Sequence, residues 1–94
     1  MYKNECYKNG QKISEQNGEI LTYYYKSGKI KAQGKYINEK FEGEWIFYRE
    51  NGTLLQKGNF KNNEKDGEWK RYKENGDIEY HVKFSGGKQI EKYK

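Results

Sequence analysis

His81 is the one histidine of the chain and Cys6 the one cysteine. An imidazole near a carboxylate can serve as a general base, and Glu79 stands two residues from His81. No serine, threonine or cysteine accompanies it in a nucleophile pattern. Its surroundings, Glu79-Tyr80-His81-Val82-Lys83, read instead as an edge strand. Cys6 lies between Glu5 and Tyr7, neither of which lowers a thiol pKa, so an inert or partly buried thiol is expected. It has no internal disulfide partner. The acids Glu64, Asp66 and Asp77 fall in polar turns without the two-residue steps of a calcium loop. Ser85-Gly86-Gly87-Lys88 is too short for a phosphate loop and no helix follows it. The sequence therefore predicts no catalytic residue, no metal and no cofactor.

What remains is rings and lysines. The chain holds 10 Tyr, 4 Phe and 2 Trp among 94 residues. Aromatic rings beside lysines can stack nucleic-acid bases. A nucleic-acid surface, however, usually concentrates its cations, whereas here acids interleave with lysines. Only Arg49 and Arg71 among the 19 basic residues are arginines. No nucleic acid is expected. The net charge of +5 allows weak attraction to an anionic membrane surface. The N-terminus Met1-Tyr2-Lys3-Asn4-Glu5-Cys6 lacks the apolar run of a secretory signal, and no stretch is long and apolar enough to span a bilayer. The expectation is a cytoplasmic protein.

Leu, Ile, Val and Phe supply only 15 residues, too few for a deep aliphatic core. Disorder is nevertheless disfavoured, because the rings bury large areas, proline is absent and the glycines recur at intervals. Residues 45–68 laid on 69–92 give 6 identities, as do residues 21–44 laid on 45–68. A fixed period of this length marks a repeat architecture. Three full units follow, 21–44, 45–68 and 69–92. Residues 1–20 form a degenerate first copy or cap, and all of 1–94 is one domain. The invariant or similar positions include Tyr24, Tyr48 and Tyr72; Gly28, Gly52 and Gly76; Trp45 and Trp69; and Phe60.

Each unit is rich in strand formers, and Asn-Gly between two such runs predicts a hairpin. A three-residue loop ending in a left-handed glycine pairs Arg49 with Thr53 and sets Tyr48 opposite Leu54. The same register sets Tyr72 opposite Ile78 and Tyr24 opposite Ile30. Leu54, Gln56, Gly58 and Phe60 are then expected on one face. Gly34 and Gly58 leave room for a ring from a neighbouring strand. The fold class is all-β: an elongated antiparallel meander of tandem hairpins, each stabilised by its neighbours. The repeated rings are the glue. Positions where one copy departs from the others are the candidates for a partner-binding face: Tyr23, Tyr25, Ile37, Phe41, Ile46, Phe47, Leu55 and Arg71.

The pattern Gly-Glu-Trp-x-x-Tyr-x-x-Asn-Gly-x-Leu-x-x-x-Gly-x-Phe-x-Asn resembles the MORN repeat, and is similar to the bacterial variant of YwqK-type antitoxins. The likeness covers roughly residues 18–88. It implies hairpins stacked into a ribbon and a non-catalytic surface that binds another protein, a toxin or a scaffold partner. Phospholipid binding is the alternative implied by the family name. Open ends and sheet edges also allow association between copies of the chain.

Overall fold

Left-handed glycines set the geometry of this chain. Gly28, Gly52 and Gly76 have φ of 90°, 92° and 94°, a backbone that other residues rarely adopt. In each case the glycine follows a tight turn. The Gly52 amide donates to the Arg49 carbonyl at 2.9 Å, and the Arg49 amide donates to the Thr53 carbonyl at 2.8 Å. Tyr25 with Lys29 and Lys73 with Asp77 repeat this closure. So does Tyr7 with Gln11, where Gly10 has φ of 89°. The three-residue loop expected from Glu-Asn-Gly is the one observed.

A computed structural model describes residues 5–93. It contains β1 (Ser14–Asn17), β2 (Ile20–Tyr24), β3 (Ile30–Ile37), β4 (Lys40–Tyr48), β5 (Leu54–Lys61), β6 (Glu64–Tyr72), β7 (Ile78–Ser85) and β8 (Lys88–Tyr93). They form one open antiparallel sheet in chain order. The slab measures 42 × 34 × 18 Å. Residues 1–4 of the expected cap lie outside the described residues.

Tyr48 stands opposite Leu54, Tyr72 opposite Ile78 and Tyr24 opposite Ile30, as the loop type requires. One residue further, the register slips. Phe47 pairs with Gln56, so Leu55 is an extra residue in β5. The bulge places Leu54 on the face opposite Gln56 and Gly58. The expected single-faced series Leu54, Gln56, Gly58, Phe60 therefore breaks at its first member. The second turns join β3 to β4 and β5 to β6 through two left-handed residues each, Asn38-Glu39 and Asn62-Asn63. These are the mirror-image turns that match strand twist.

One face of the sheet builds its own core. Leu21, Ala32, Trp45, Trp69 and Val82 are buried there although no second layer of the described residues covers them. The rings cover one another. Trp45 lies flat over Gly34, where a Cβ would sit 2.3 Å from the indole, and Trp69 lies over Gly58, where it would sit 2.0 Å away. Each indole N–H donates at 2.9 Å to a carbonyl at the neighbouring strand's irregularity, Lys35 for Trp45 and Asn59 for Trp69. Gly34 pairs with Trp45 while Lys35 pairs with Glu42, so two residues, Gly43 and Glu44, are inserted in β4. Gly43 and its counterpart Gly67 carry φ of 66° and 73°.

The last hairpin departs from this plan for two reasons. Val82 occupies the position of Gly34 and Gly58, so the slot for a ring is filled. Glu91 occupies the position of Gly43 and Gly67, so the left-handed backbone is disfavoured. Only one residue, Ile90, is inserted in β8, between the pairs Phe84–Gln89 and Lys83–Glu91. Tyr93, at the repeat position of the tryptophans, consequently pairs with His81 and faces away from the ring core.

Gly34→Ala and Gly58→Ala are expected to destabilise the fold by about 1–3 kcal/mol or more, since backbone and indole cannot both hold their places. Urea unfolding monitored by tryptophan fluorescence measures this. Gly58→Ala should also red-shift the emission as Trp69 is pushed toward water.

Candidate binding surface

The ring face is a continuous relay. Phe41 lies 4.7 Å from Trp45 and 5.3 Å from Phe60, centroid to centroid. Phe60 meets Trp69 edge-on at 5.1 Å. Phe47 bridges Trp45 and Trp69 at 6.3 and 6.0 Å. In the next unit Lys65 takes the position of Phe41. Its ammonium lies 4.8 Å from the Trp69 ring centroid and 5.0 Å from that of Phe84. A cation on the π faces replaces a ring on the same neighbours.

A second relay runs along the tight turns. The residue that opens each turn reaches the carbonyl of the next unit's terminal strand residue. Tyr7 Oη donates to the Tyr24 carbonyl at 2.8 Å, Tyr25 Oη to the Tyr48 carbonyl at 2.7 Å, and Arg49 Nη2 to the Tyr72 carbonyl at 2.5 Å. Different side chains at one repeat position thus do one job. Arg49 Nε is buried and lacks a hydrogen-bond partner.

These relays place the sequence-derived candidates. Tyr23, Phe41 and Phe47 are half-buried members of the ring core, packed against Leu21, Ala32 and Trp45. Departure from the repeat did not release them from core duty, because the rings differ while the cavity between neighbouring hairpins persists. Tyr25 belongs to the turn relay. Ile37 closes β3 opposite Lys40, and Leu55 is the bulged residue of β5. Arg71 Nε lies 3.4 Å from a Glu79 carboxylate oxygen. Ile46 alone among the eight pairs with Gln33 and Lys57 on the opposite face. The eight therefore do not gather into one patch. Cys6, expected to be inert or partly buried, is a free thiol and is exposed.

The opposite face is striped. One cross-strand row reads Thr22, Gln33, Ile46, Lys57, Lys70, His81, Tyr93, each directly opposite the next. Two residues along the strands, toward the tight turns, lie the pairs Tyr48–Leu54 and Tyr72–Ile78. Two residues the other way stand Glu44 and Glu68. His81 Nε2 is 2.7 Å from Glu68 Oε1, and its ring stacks on Tyr93 at 4.2 Å. His81 is therefore inside the row, one strand from the edge, and not an edge residue as expected. A groove of about 330 Å³ opens between the strands, lined by Glu44, Lys57, Gly58, Asn59, Glu68 and Lys70. Sequence reading marks Lys70, with Thr22 and Ile46, as a departure from the repeat and passes over Lys57. The signal was present in the alignment of Ile46 with Lys70 and of Lys57 with His81, but turning it into neighbours needs the bulge register.

The described residues hold no cluster of His, Cys, Asp and Glu able to take a metal ion. No helix among them is long and apolar enough to cross a membrane.

An open meander of eight strands, two in each of three units with β1 and β8 flanking them, zipped by indole over glycine, defines a tandem β-hairpin repeat protein. Residues 20–38, 41–62 and 65–85 match the MORN repeat variant model, and the chain belongs to that family. MORN repeats are associated with protein or membrane binding. No curated protein and no solved structure matches the chain.

Two outcomes test the polar contacts. Tyr25→Phe removes one hydroxyl and strands the Tyr48 carbonyl, and is expected to cost about 0.5–1.5 kcal/mol in urea unfolding. Glu15 accepts from the Tyr24 hydroxyl at 2.9 Å and from Lys12 at 3.3 Å. The Tyr24 bond, then Lys12, hold its carboxyl below the ordinary glutamate range. A carboxylate depressed in the folded state stabilises above its unfolded pKa and loses this as pH falls through the folded value. Glu15→Gln should therefore lower the melting temperature slightly at neutral pH and match the parent chain in acid, so that the profile between them flattens.

Proposed function

We propose that this chain is a non-catalytic protein-binding module, an antitoxin or immunity protein of the cytoplasm that occludes a toxin. The observation that carries the reading is the striped face. It is a broad surface with half-buried apolar side chains and lysines, and no layer of the described residues covers it. Such faces bind by area and charge and carry out no chemistry of their own. The similarity to YwqK-type antitoxins adds the kind of partner. The module acts as a plate: a partner laid across several strands is held by units that cannot shift independently.

Membrane attachment is the weaker reading, because Glu44 and Glu68 stand beside the cations and oppose an anionic lipid surface.

Co-expression with each neighbouring gene, and with any whose product is toxic in particular, is the test. The intact chain should restore growth and co-purify with the toxin in stoichiometric amounts. Failure of both, together with flotation on anionic liposomes, would replace the reading with membrane binding.

A further inference from the structure

Lys57 and Lys70 stand directly opposite one another on adjacent strands. At such positions the Cβ atoms are roughly 5 Å apart, and like charges there destabilise a sheet. Both side chains are half-buried. Neither ammonium enters an ion pair or a hydrogen bond among the described residues. The nearby Glu68 carboxylate is engaged by His81 at 2.7 Å. Elsewhere in the chain exposed cations do find partners: Lys12 with Glu15, and Arg71 with Glu79. The row therefore holds two opposed lysines whose ammonium groups make no direct ion pair among the described residues, with Glu44 and Glu68 lining the same groove one row away. A local rule broken without a direct ion pair to offset it points to function.

On the tight-turn side of these lysines lie Tyr48–Leu54 and Tyr72–Ile78, with Ile78 half exposed at 51%. On the other side lie the glutamates. A ligand that answers all three stripes carries carboxylates for the lysines and apolar groups for the Tyr–Leu and Tyr–Ile pairs. The glutamate row rejects the same ligand displaced by one row, which fixes its position.

Building on the protein-binding reading, we infer that this face takes an acidic amphipathic segment of the partner protein. The segment lies across the strands, with its carboxylates between Lys57 and Lys70 and its apolar side against Tyr48, Leu54, Tyr72 and Ile78. Binding removes the repulsion between the two ammonium groups, so the partner supplies what the sheet lacks.

The probe is a synthetic helical peptide with leucines along one stripe and glutamates along the adjacent one, titrated into the isotopically labelled full chain. Amide shifts confined to β4–β7 and an affinity that falls with added salt are expected. Lys57→Gln with Lys70→Gln should weaken binding roughly tenfold, in keeping with charge-assisted contacts to carboxylates. The melting temperature of that variant should be equal or higher, since the repulsion is gone. Equal binding of the glutamine-for-glutamate peptide would overturn the inference, as would shifts on the ring face, or an unchanged affinity in the double variant. Equal binding to phosphatidylglycerol vesicles without peptide selectivity would overturn it in favour of a headgroup. If the double variant still protects against the toxin while binding the peptide no more weakly, this assignment fails and the protein-binding reading stands. If the intact chain captures no toxin at all, the protein-binding reading itself fails.

Discussion

An indole lying on a bare glycine Cα holds this sheet together. A single-layer sheet has no second layer to bury its apolar face, so each ring must be sheltered by its neighbours. Gly34 and Gly58 let Trp45 and Trp69 descend to the backbone, within reach of the Lys35 and Asn59 carbonyls. The indole then buries both its apolar body and its polar N–H, which few side chains can do in so thin a structure. Around each indole, Phe47 and Phe60 form the wall shared by two units. Without the glycine the ring would stand upright, the wall would open, and the neighbouring unit would lose its shelter too.

The other contacts follow from that spacing. Once hairpins are locked at the distance set by the rings, the turn-opening side chains reach the next unit's carbonyl. The reach is met by tyrosine or by arginine. Each unit thus touches the next through rings on one face, through the turn relay at one end, and through backbone bonds such as Asn63 to Phe41 at the other. Stability of this kind is a sum over neighbours. It also leaves the ring packing to one face, so that the stripes of the other can answer to a partner.

Much of this was legible in the sequence, because it repeats. The period, the hairpin loops, the cross-hairpin Tyr–Leu and Tyr–Ile pairs and the room above Gly34 and Gly58 all came from residue types at fixed intervals. The bulges did not. A strand with one extra residue looks like any other strand in sequence, so Leu54 was assigned to the wrong face. His81 lies inside the sheet because the short strand β8 pairs with β7 and sets Tyr93 opposite it. Phe41 illustrates another limit. Its counterpart Lys65 is charged, and composition alone does not reveal that an ammonium and a phenyl ring can occupy the same place on an indole. The opposed lysines were hidden because their pairing depends on the inserted residues between Asn59 and Lys70.

The number of residues inserted at each irregularity decides which way every later side chain points. Two extra residues in β4 return the strand to its original parity, whereas the lone Ile90 in β8 turns Tyr93 over. Chain length in these few segments is accordingly a sharper constraint than residue identity. Losing a single codon at Gly43 or Glu44 would leave composition and hydropathy almost untouched. It would nonetheless swing Trp45 out to water, and loss of Gly43 would turn Glu44 inward in its place. Lengthening a polar turn such as 61–64 by the same amount would change only a loop.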